Sequence, residues 1–132
     1  MEPKLKGSAG PLPTEAELDI LQILWESGPL TVREVHEALH GKQTGYTTVL
    51  KQMQVMVEKG LLMRNERFRS HVYEAKLPRE RTQEKLLQRL MQTAFSGSAK
   101  NLVMGALSAK PVSKKELAEI REFLQSFEEK PR

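Results

Sequence analysis

Threonine, lysine and glutamine side chains recur on one side of a helix that is predicted to begin at Tyr46. With 100° of rotation per residue, one side of this helix carries Thr47, Thr48, Lys51 and Gln54. Small hydroxyls, an amide and an amine can form hydrogen bonds with base edges and phosphates without filling the groove of a duplex. This pattern predicts contact with the major groove of DNA.

A basic turn follows the same helix and extends this chemistry. Arg67 and Arg69 lie in a polar turn, where they are expected to meet the DNA backbone or minor groove. The Tyr46 ring is expected to pack, because it lies in the apolar arc, although its hydroxyl can reach a phosphate. The candidate DNA contacts are therefore Thr44, Tyr46, Thr47, Thr48, Lys51, Gln54, Arg67 and Arg69. An ordinary solvated face is the competing interpretation.

The elements around this helix are predicted from its apolar arc and from the residues that follow it. An arc of about 120° holds Tyr46, Val49, Leu50, Met53, Met56 and Val57. Gly60 is expected to end the helix as a C-terminal cap. Residues 61–64 and 71–75 have the composition of two antiparallel strands joined by the basic turn.

Two further helices are predicted before this one, each from a capping-box pair. Thr14 with Glu17 opens the first helix, which ends at the Ser27-Gly28-Pro29 segment, and its apolar face is predicted to comprise Leu18, Leu21, Ile23, Leu24 and Trp25. Thr31 with Glu34 opens the second, through about His40, with Val32, Val35, Ala38 and Leu39 facing inward. Three helices followed by a hairpin predict a winged helix-turn-helix domain over residues 13–77.

The remainder of the chain is predicted to be helical, so the expected fold class is mainly α. Residues 78–132 contain three apolar stripes, the last opened by Ser113 and Glu116. About 50 residues in three helices bury such stripes poorly alone, so this region is predicted to be a dimerisation domain. Its candidate interface residues are Leu86, Leu87, Leu90, Leu102, Val103, Leu107, Ile120, Leu124 and Phe127. A homodimer would match a palindromic site in DNA.

Composition narrows the class of protein. Residues 42–77 carry seven Lys or Arg against three Asp or Glu, so basic charge is concentrated where phosphate contact is predicted. The chain has no cysteine, which excludes disulfides and thiolate metal sites. Residues 1–12 are predicted to be a flexible tail rather than a secretory signal, and with no apolar run of about 18 residues no membrane insertion and a cytoplasmic location are expected.

Other chemistry has little support in the sequence. His36 and His40 are four residues apart on one helix, but two such ligands make a weak metal site, and a solvated helix end is the preferred interpretation. No nucleophile motif or phosphate-binding glycine loop occurs, so neither an enzyme nor a cofactor is expected.

Three segments together resemble the penicillinase-repressor family, which includes the methicillin-resistance repressor and copper-responsive repressors. They are LPTEAELDILQILWESGPLTVREVHEAL, GYTTVLKQMQVMVEKGLL and RSHVYEA. The resemblance runs from Leu12 to about Phe127, and Tyr46-Thr47-Thr48-Val49 is its most specific element. It implies a dimeric repressor on a palindromic operator, released by loss of the dimer. It also implies a membrane-bound sensor protease as a partner.

The chain departs from this family in two respects. Copper-responsive members use a cysteine-rich hook, and this chain has no cysteine. Members that respond to β-lactams are cleaved at an Asn-Phe bond, which this sequence lacks; the corresponding bond would be Met104-Gly105 or Gly105-Ala106. Two alternatives to a repressor remain: a winged protein-interaction module without specific DNA binding, and, ranked last, a small-molecule sensor with a pocket between dimer helices.

Overall fold

The computed structural model describes residues 12–39, 44–66 and 71–129. In that part of the chain, six helices accompany one two-stranded antiparallel hairpin, which confirms the mainly helical fold class with a wing. The elements are α1 (Glu15–Ser27), α2 (Val32–Ala38), α3 (Tyr46–Lys59), β1 (Leu62–Asn65), β2 (Val72–Ala75), α4 (Arg79–Ala94), α5 (Ala99–Ala109) and α6 (Lys114–Glu129). The predicted N-terminal tail lies almost wholly outside the described residues.

Both predicted capping boxes form at the starts of α1 and α2. The Thr14 hydroxyl accepts a hydrogen bond from the Glu17 backbone N–H, and the Glu17 carboxylate accepts one from the Thr14 N–H. Thr31 and Glu34 repeat this arrangement. Each box satisfies backbone donors that a helix start leaves without partners.

The buried face of α1 differs from the predicted one. Ile20 is fully buried with Leu21 and Leu24, whereas Leu18, Ile23 and Trp25 are only half-buried at the edge of the core. The stripe that the core selects runs from Glu17 through Ile20 and Leu21 to Leu24, at three- and four-residue spacing. On α2, Ala38 is exposed rather than buried.

Helix α3 ends as the sequence predicts, at a glycine in the left-handed region. Gly60 has φ 86° and ψ 14°, and its N–H donates to the carbonyl oxygens of Met56 and Val57. A residue with a Cβ atom adopts this conformation at a steric cost, which favours glycine here. The chain then enters β1 directly, so the wing follows the helix without a long connection.

The hairpin is held at its base by a segment that the sequence analysis treats only as a helix stop. Strands β1 and β2 pair from Leu62 with Ala75 to Asn65 with Val72, close to the predicted ranges. Leu30 adds an isolated bridge on the other side of β2: its N–H donates to the Tyr73 carbonyl oxygen at 3.0 Å, and the Tyr73 N–H donates to the Leu30 carbonyl oxygen at 2.8 Å. The wing is thereby attached to the connection between α1 and α2.

All three helices and the hairpin of the winged region contribute side chains to its hydrophobic core. Its fully or nearly fully buried hydrophobic residues are Ile20, Leu21, Leu24, Val32, Val35, Leu39, Val49, Met53, Met56, Leu61, Leu62 and Tyr73. Three of these lie on α3, so one face of α3 is fixed against α1, α2 and the hairpin. Burial of such side chains contributes about 1.5–3 kcal/mol each relative to exposure, enough to hold the helix in one orientation.

The start of α4 is joined to the end of α1 through Trp25. The indole Nε1–H of Trp25 donates to the Leu77 carbonyl oxygen at 3.0 Å. The Arg79 guanidinium lies 5.7 Å from the centre of the indole ring and 3.9 Å from the Glu26 carboxylate. Trp25 is therefore a half-buried anchor, rather than the core residue expected from its apolar neighbours, because its polar N–H needs a partner at the surface.

The chain divides into two compact units, and the boundary between Arg89 and Leu90 falls within α4. In the second unit, the Ser98 hydroxyl accepts from the Asn101 N–H at the start of α5, and Ser113 does the same for Glu116 at the start of α6. No described residue of α5 or α6 is buried. Among the described residues, no helix has the length and apolarity needed to cross a membrane.

Gly105 offers a prediction about the stability of α5. It lies inside the helix, and a Cβ atom at this position would lie 3.7 Å from the Phe95 ring, an ordinary van der Waals distance. Because glycine costs a helix interior about 0.5–1 kcal/mol relative to alanine, Gly105→Ala should raise the free energy of unfolding by about that amount. Thermal and urea unfolding of the two proteins would measure it, and a destabilised variant would show that α5 needs a glycine.

Candidate nucleic-acid interface

Helix α3 presents opposite faces to the core and to solvent. Val49, Met53 and Met56 are fully buried on one face. The side chains of Thr47, Thr48, Lys51 and Gln54 are exposed on the other, where the sequence predicts contact with DNA. The structure thus brings these four predicted residues together on one rigid element.

Lys51 is available to an anionic ligand. Within the described ranges it forms no ion pair or hydrogen bond, and it is exposed. It lies in a shallow groove that is also lined by Glu17 of α1 and by Thr47, Thr48, Gln52 and Val55 of α3. Because the Glu17 carboxylate of this groove is engaged by Lys59, the Lys51 amine can contact a phosphate or a guanine edge.

Val55 is a residue of this face that the sequence analysis missed. Its side chain is 37% exposed in the groove with Thr48 and Lys51. The signal was available, because Val55 follows Thr48 by seven residues and Lys51 by four, which is one side of a helix. An apolar side chain here can contact the methyl group of thymine.

Tyr46 departs from its expected packing. Its ring is 43% exposed and meets the His36 ring edge-on, with centroids 5.9 Å apart and planes at 86°. Tyr46 is the first residue of α3, so it lies at the margin of the helix's packed face rather than inside it. The Tyr46 hydroxyl therefore lies beside Thr47 at the N-terminal end of α3, close to α2 and to the base of the wing.

His36 forms a structural contact, whereas the sequence suggests either a weak metal ligand or a solvated residue at the end of a helix. Its Nε2 lies 2.9 Å from the Thr44 carbonyl oxygen, and because a carbonyl only accepts, Nε2 carries the proton. This bond joins α2 to the segment that enters α3, and it places Thr44, a half-buried predicted DNA contact. His40, the proposed second histidine, lies outside the described residues.

The wing is only partly described. Arg64 on β1 forms an ion pair with Glu66 at 2.8 Å, so its charge is balanced locally. Arg67 and Arg69 lie outside the described residues. Their contact with DNA therefore stays a prediction from the sequence.

A partly buried ion pair fixes the C-terminal end of α3. Lys59 Nζ lies 2.8 Å from both carboxylate oxygens of Glu17, whose side chain is only 9% exposed. Burial raises the pKa of the Glu17 carboxyl, but hydrogen bonds from Lys59 and Thr14 and the positive charge of Lys59 outweigh it and bring the pKa below its ordinary value. The pair connects the last residue of α3 to the first turn of α1.

The predicted dimerisation residues lie on the three C-terminal helices and remain accessible. Half-buried positions are Leu86, Leu102, Leu107 and Ile120, and exposed ones are Leu87, Leu90, Val103, Leu124 and Phe127. Phe123, which the prediction did not include, is 62% exposed and meets Phe127 edge-on at 4.9 Å between centroids. These residues form unpartnered apolar surface in the described chain.

Comparison with known proteins gives one assignment to a family and two weak structural similarities. No curated protein matches the chain. The solution structure of apo-NmtR is similar at 22% identity and a TM-score of 0.45, covering 84% of this chain and 78% of that chain. The crystal structure of the adhesin competence repressor AdcR from Streptococcus pyogenes is similar at 20% identity and a TM-score of 0.41, covering 96% of this chain and 87% of that one. The penicillinase repressor model matches residues 13–126, which confirms the resemblance found in the sequence, and the chain therefore belongs to this family of transcriptional regulators, which are not enzymes.

Proposed function

We propose that this regulator is a homodimeric repressor that binds a palindromic operator in the cytoplasm and reads its bases with α3. The observation that carries the proposal is the exposed face of Thr47, Thr48, Lys51 and Gln54 on a helix whose opposite face is fully buried. Burial holds the backbone of α3 in place, so its polar side chains can meet base edges without a large ordering cost.

The width of this face suits a major groove. The groove of B-DNA is about 12 Å wide and admits one α-helix, and α3 is 14 residues long with Thr47, Thr48, Lys51 and Gln54 exposed. Lys51 supplies a charge that attracts phosphate or guanine, while the two threonines and Gln54 supply neutral donors and acceptors. The proposed base contacts are Thr47, Thr48, Lys51 and Gln54, with Thr44 and Tyr46 at the entry of α3 and Arg67 and Arg69 on the wing.

Dimerisation is proposed from the apolar surface of the C-terminal helices. Leu124 is 53% exposed, and Phe123 and Phe127 are each more than 60% exposed. Apolar side chains grouped in this way at the surface indicate an interaction site. A second copy of the chain is the occupant we propose, since a two-fold dimer presents two α3 helices to the two halves of a palindrome.

The experiment that tests operator reading is selection from a random pool of duplexes by the purified protein. Anisotropy measurements on the enriched duplex and on a scrambled one, from low to physiological salt, then give affinity, specificity and stoichiometry. We expect a palindrome to be enriched and bound by two chains per site. Failure to enrich any sequence, with equal weak binding that disappears as salt rises, would overturn the proposal and favour the protein-interaction module.

The dimer is tested by charging the exposed stripe of α6. Leu124→Glu with Phe127→Glu should convert the dimer to a monomer in analytical ultracentrifugation, because four carboxylates would have to be buried in a two-fold interface. Lys115→Glu with Gln125→Glu is the matched control, since both residues lie on the polar side of α6 and should leave the dimer intact. If Leu124→Glu with Phe127→Glu remained dimeric, the proposal that α6 forms part of the interface would be contradicted.

Derepression through loss of the dimer completes the proposal, with cleavage by a membrane-bound sensor as its trigger. The bond in question would be Met104-Gly105 or Gly105-Ala106, both within α5, where Met104 is 56% exposed. A protease needs an extended backbone, so cleavage would require α5 to open locally. The glycine at this position lowers the cost of that opening.

A further inference from the structure

A second polar groove lies beside the N-terminal end of α3, between α2 and the root of the wing. It has a volume of about 490 Å³ and is open to solvent. Val32, Leu50 and Tyr73 contribute its apolar walls, and Arg33, Tyr46 and His71 contribute polar groups. The groove is separate from the face of Thr47, Thr48 and Lys51, but the two adjoin, because Tyr46 directly precedes Thr47.

Arg33 is the feature that gives this groove a charge. It is the only lysine or arginine among described residues 12–39, a range that holds six acidic side chains. It is exposed, and within the part of the chain that the structure describes it has no ion-pair or hydrogen-bond partner. The Glu34 carboxylate on the next residue is engaged by the N–H and hydroxyl of Thr31, at 2.9 and 3.3 Å. The guanidinium is therefore left for a ligand.

Tyr46 is held at this groove by contacts that α2 provides. The rings of Tyr46 and His36 pack edge to face, with their centroids 5.9 Å apart and their planes at 86°. His36 is itself fixed by the bond from its Nε2–H to the Thr44 carbonyl oxygen at 2.9 Å. A histidine joined both to the backbone before α3 and to the first ring of α3 fixes the direction of the tyrosine side chain.

We propose that this groove binds a backbone phosphate of the operator, and this proposal rests on the proposed function. Phosphates line both edges of the major groove, so a helix that reads bases with Thr47 and Lys51 brings the adjoining groove to the sugar-phosphate backbone. Arg33 donates a charge-assisted hydrogen bond to the phosphate oxygens, and the Tyr46 hydroxyl and a ring N–H of His71 donate to the same anion. His36 is a positioning residue, because it acts through Tyr46 and Thr44.

Arg33→Gln tests the charge of the groove. Affinities would be measured by anisotropy on the selected duplex and on a non-specific duplex over a range of salt concentrations. We expect about a tenfold loss at physiological salt on both duplexes. The slope of log K against log salt should fall by about 0.9, the value for one phosphate contact. Arg81→Gln removes the same charge from an exposed residue of α4 and should change neither quantity.

Two outcomes separate this proposal from the proposed function. If the wild-type protein reads no specific duplex, the proposed function fails. If the wild-type protein binds specifically and Arg33→Gln matches Arg81→Gln in affinity and salt slope, only the phosphate groove is overturned. Circular dichroism and thermal unfolding of both variants establish that the folded state is retained.

Tyr46 and His36 are tested by one change that removes only a hydroxyl and by two changes that remove the imidazole with and without replacing its hydrogen-bond donor. Tyr46→Phe removes one hydroxyl and should lower the affinity for both duplexes about threefold. His36→Ala should weaken binding without altering the salt slope, because no charge that meets DNA is removed. His36→Gln should restore much of the loss, since its amide N–H can donate to the Thr44 carbonyl oxygen. Equal binding by wild type, His36→Ala and Tyr46→Phe would contradict the assigned roles.

Discussion

Replacing Lys51 and Arg67 with alanine together is expected to lower affinity for the operator at least a hundredfold while the dimer remains intact. Lys51 is exposed in the middle of α3 without a described partner, and Arg67 belongs to the basic segment that the sequence predicts to be the turn between the two strands. Each change removes a charge-assisted hydrogen bond worth about 1.5–3 kcal/mol. Anisotropy on the selected duplex measures the affinity, and ultracentrifugation measures the dimer.

The control for this double variant is Lys76→Ala with Arg81→Ala. It removes two positive charges from the same unit of the chain, at exposed positions outside both grooves. If binding depended only on net charge, the two variants would lose equal affinity. An equal loss would thus contradict the assignment of Lys51 and Arg67 to the interface, and a large difference would support it.

Glu17→Ala is expected to lower the free energy of unfolding by about 2–3 kcal/mol. The change removes one half of the first capping box, worth about 1 kcal/mol. It also removes the hydrogen-bonded partner of Lys59 in a site where the carboxylate is 9% exposed. Lys59 is 30% exposed, so its amine can regain water, which keeps the cost below the 3–5 kcal/mol typical of fully buried pairs. The melting temperature should fall by about 10 °C.

Glu34→Ala is the matched control, because Glu34 forms the same capping box at an exposed site without a lysine. We expect it to cost about 0.5–1 kcal/mol. The difference between the two variants isolates the burial and ion pair of Glu17. Equal destabilisation would show that the pair with Lys59 contributes nothing beyond the cap.

The same pair gives a dependence of stability on pH. Because the pKa of Glu17 in the folded protein is lowered below its ordinary value of 4.5, the carboxylate stabilises the fold fully above that value. This contribution is lost as the pH falls through the lower, folded pKa. Glu17→Gln should lack this acid-side loss. Lys59→Met should shrink this acid-side loss or reverse it, because the burial that raises the pKa of Glu17 is then opposed only by the hydrogen bonds of Thr14.

The functional face of α3 was predictable because it depends on a periodicity within one helix. A helix repeats every 3.6 residues, so Thr47, Thr48, Lys51 and Gln54 share a side in any fold that keeps α3. Val55 was missed although the same rule places it there. Arg33 and His36 were missed for a different reason: their partners in the site lie on other elements, and no periodicity connects α2 to Tyr46 or His71.

Local sequence is enough to predict the capping boxes at Thr14 and Thr31 and the end of α3 at Gly60. These features involve residues within four positions of each other, whose geometry the backbone dictates. Which apolar residues are buried depends on tertiary packing, which buries Ile20 and leaves Tyr46 exposed. Tertiary packing also decides the contacts of Glu17 with Lys59, Leu30 with Tyr73, and Trp25 with Leu77. Each of these joins residues more than 40 positions apart, and such contacts depend on how the helices pack around a shared core rather than on the local preference of either segment.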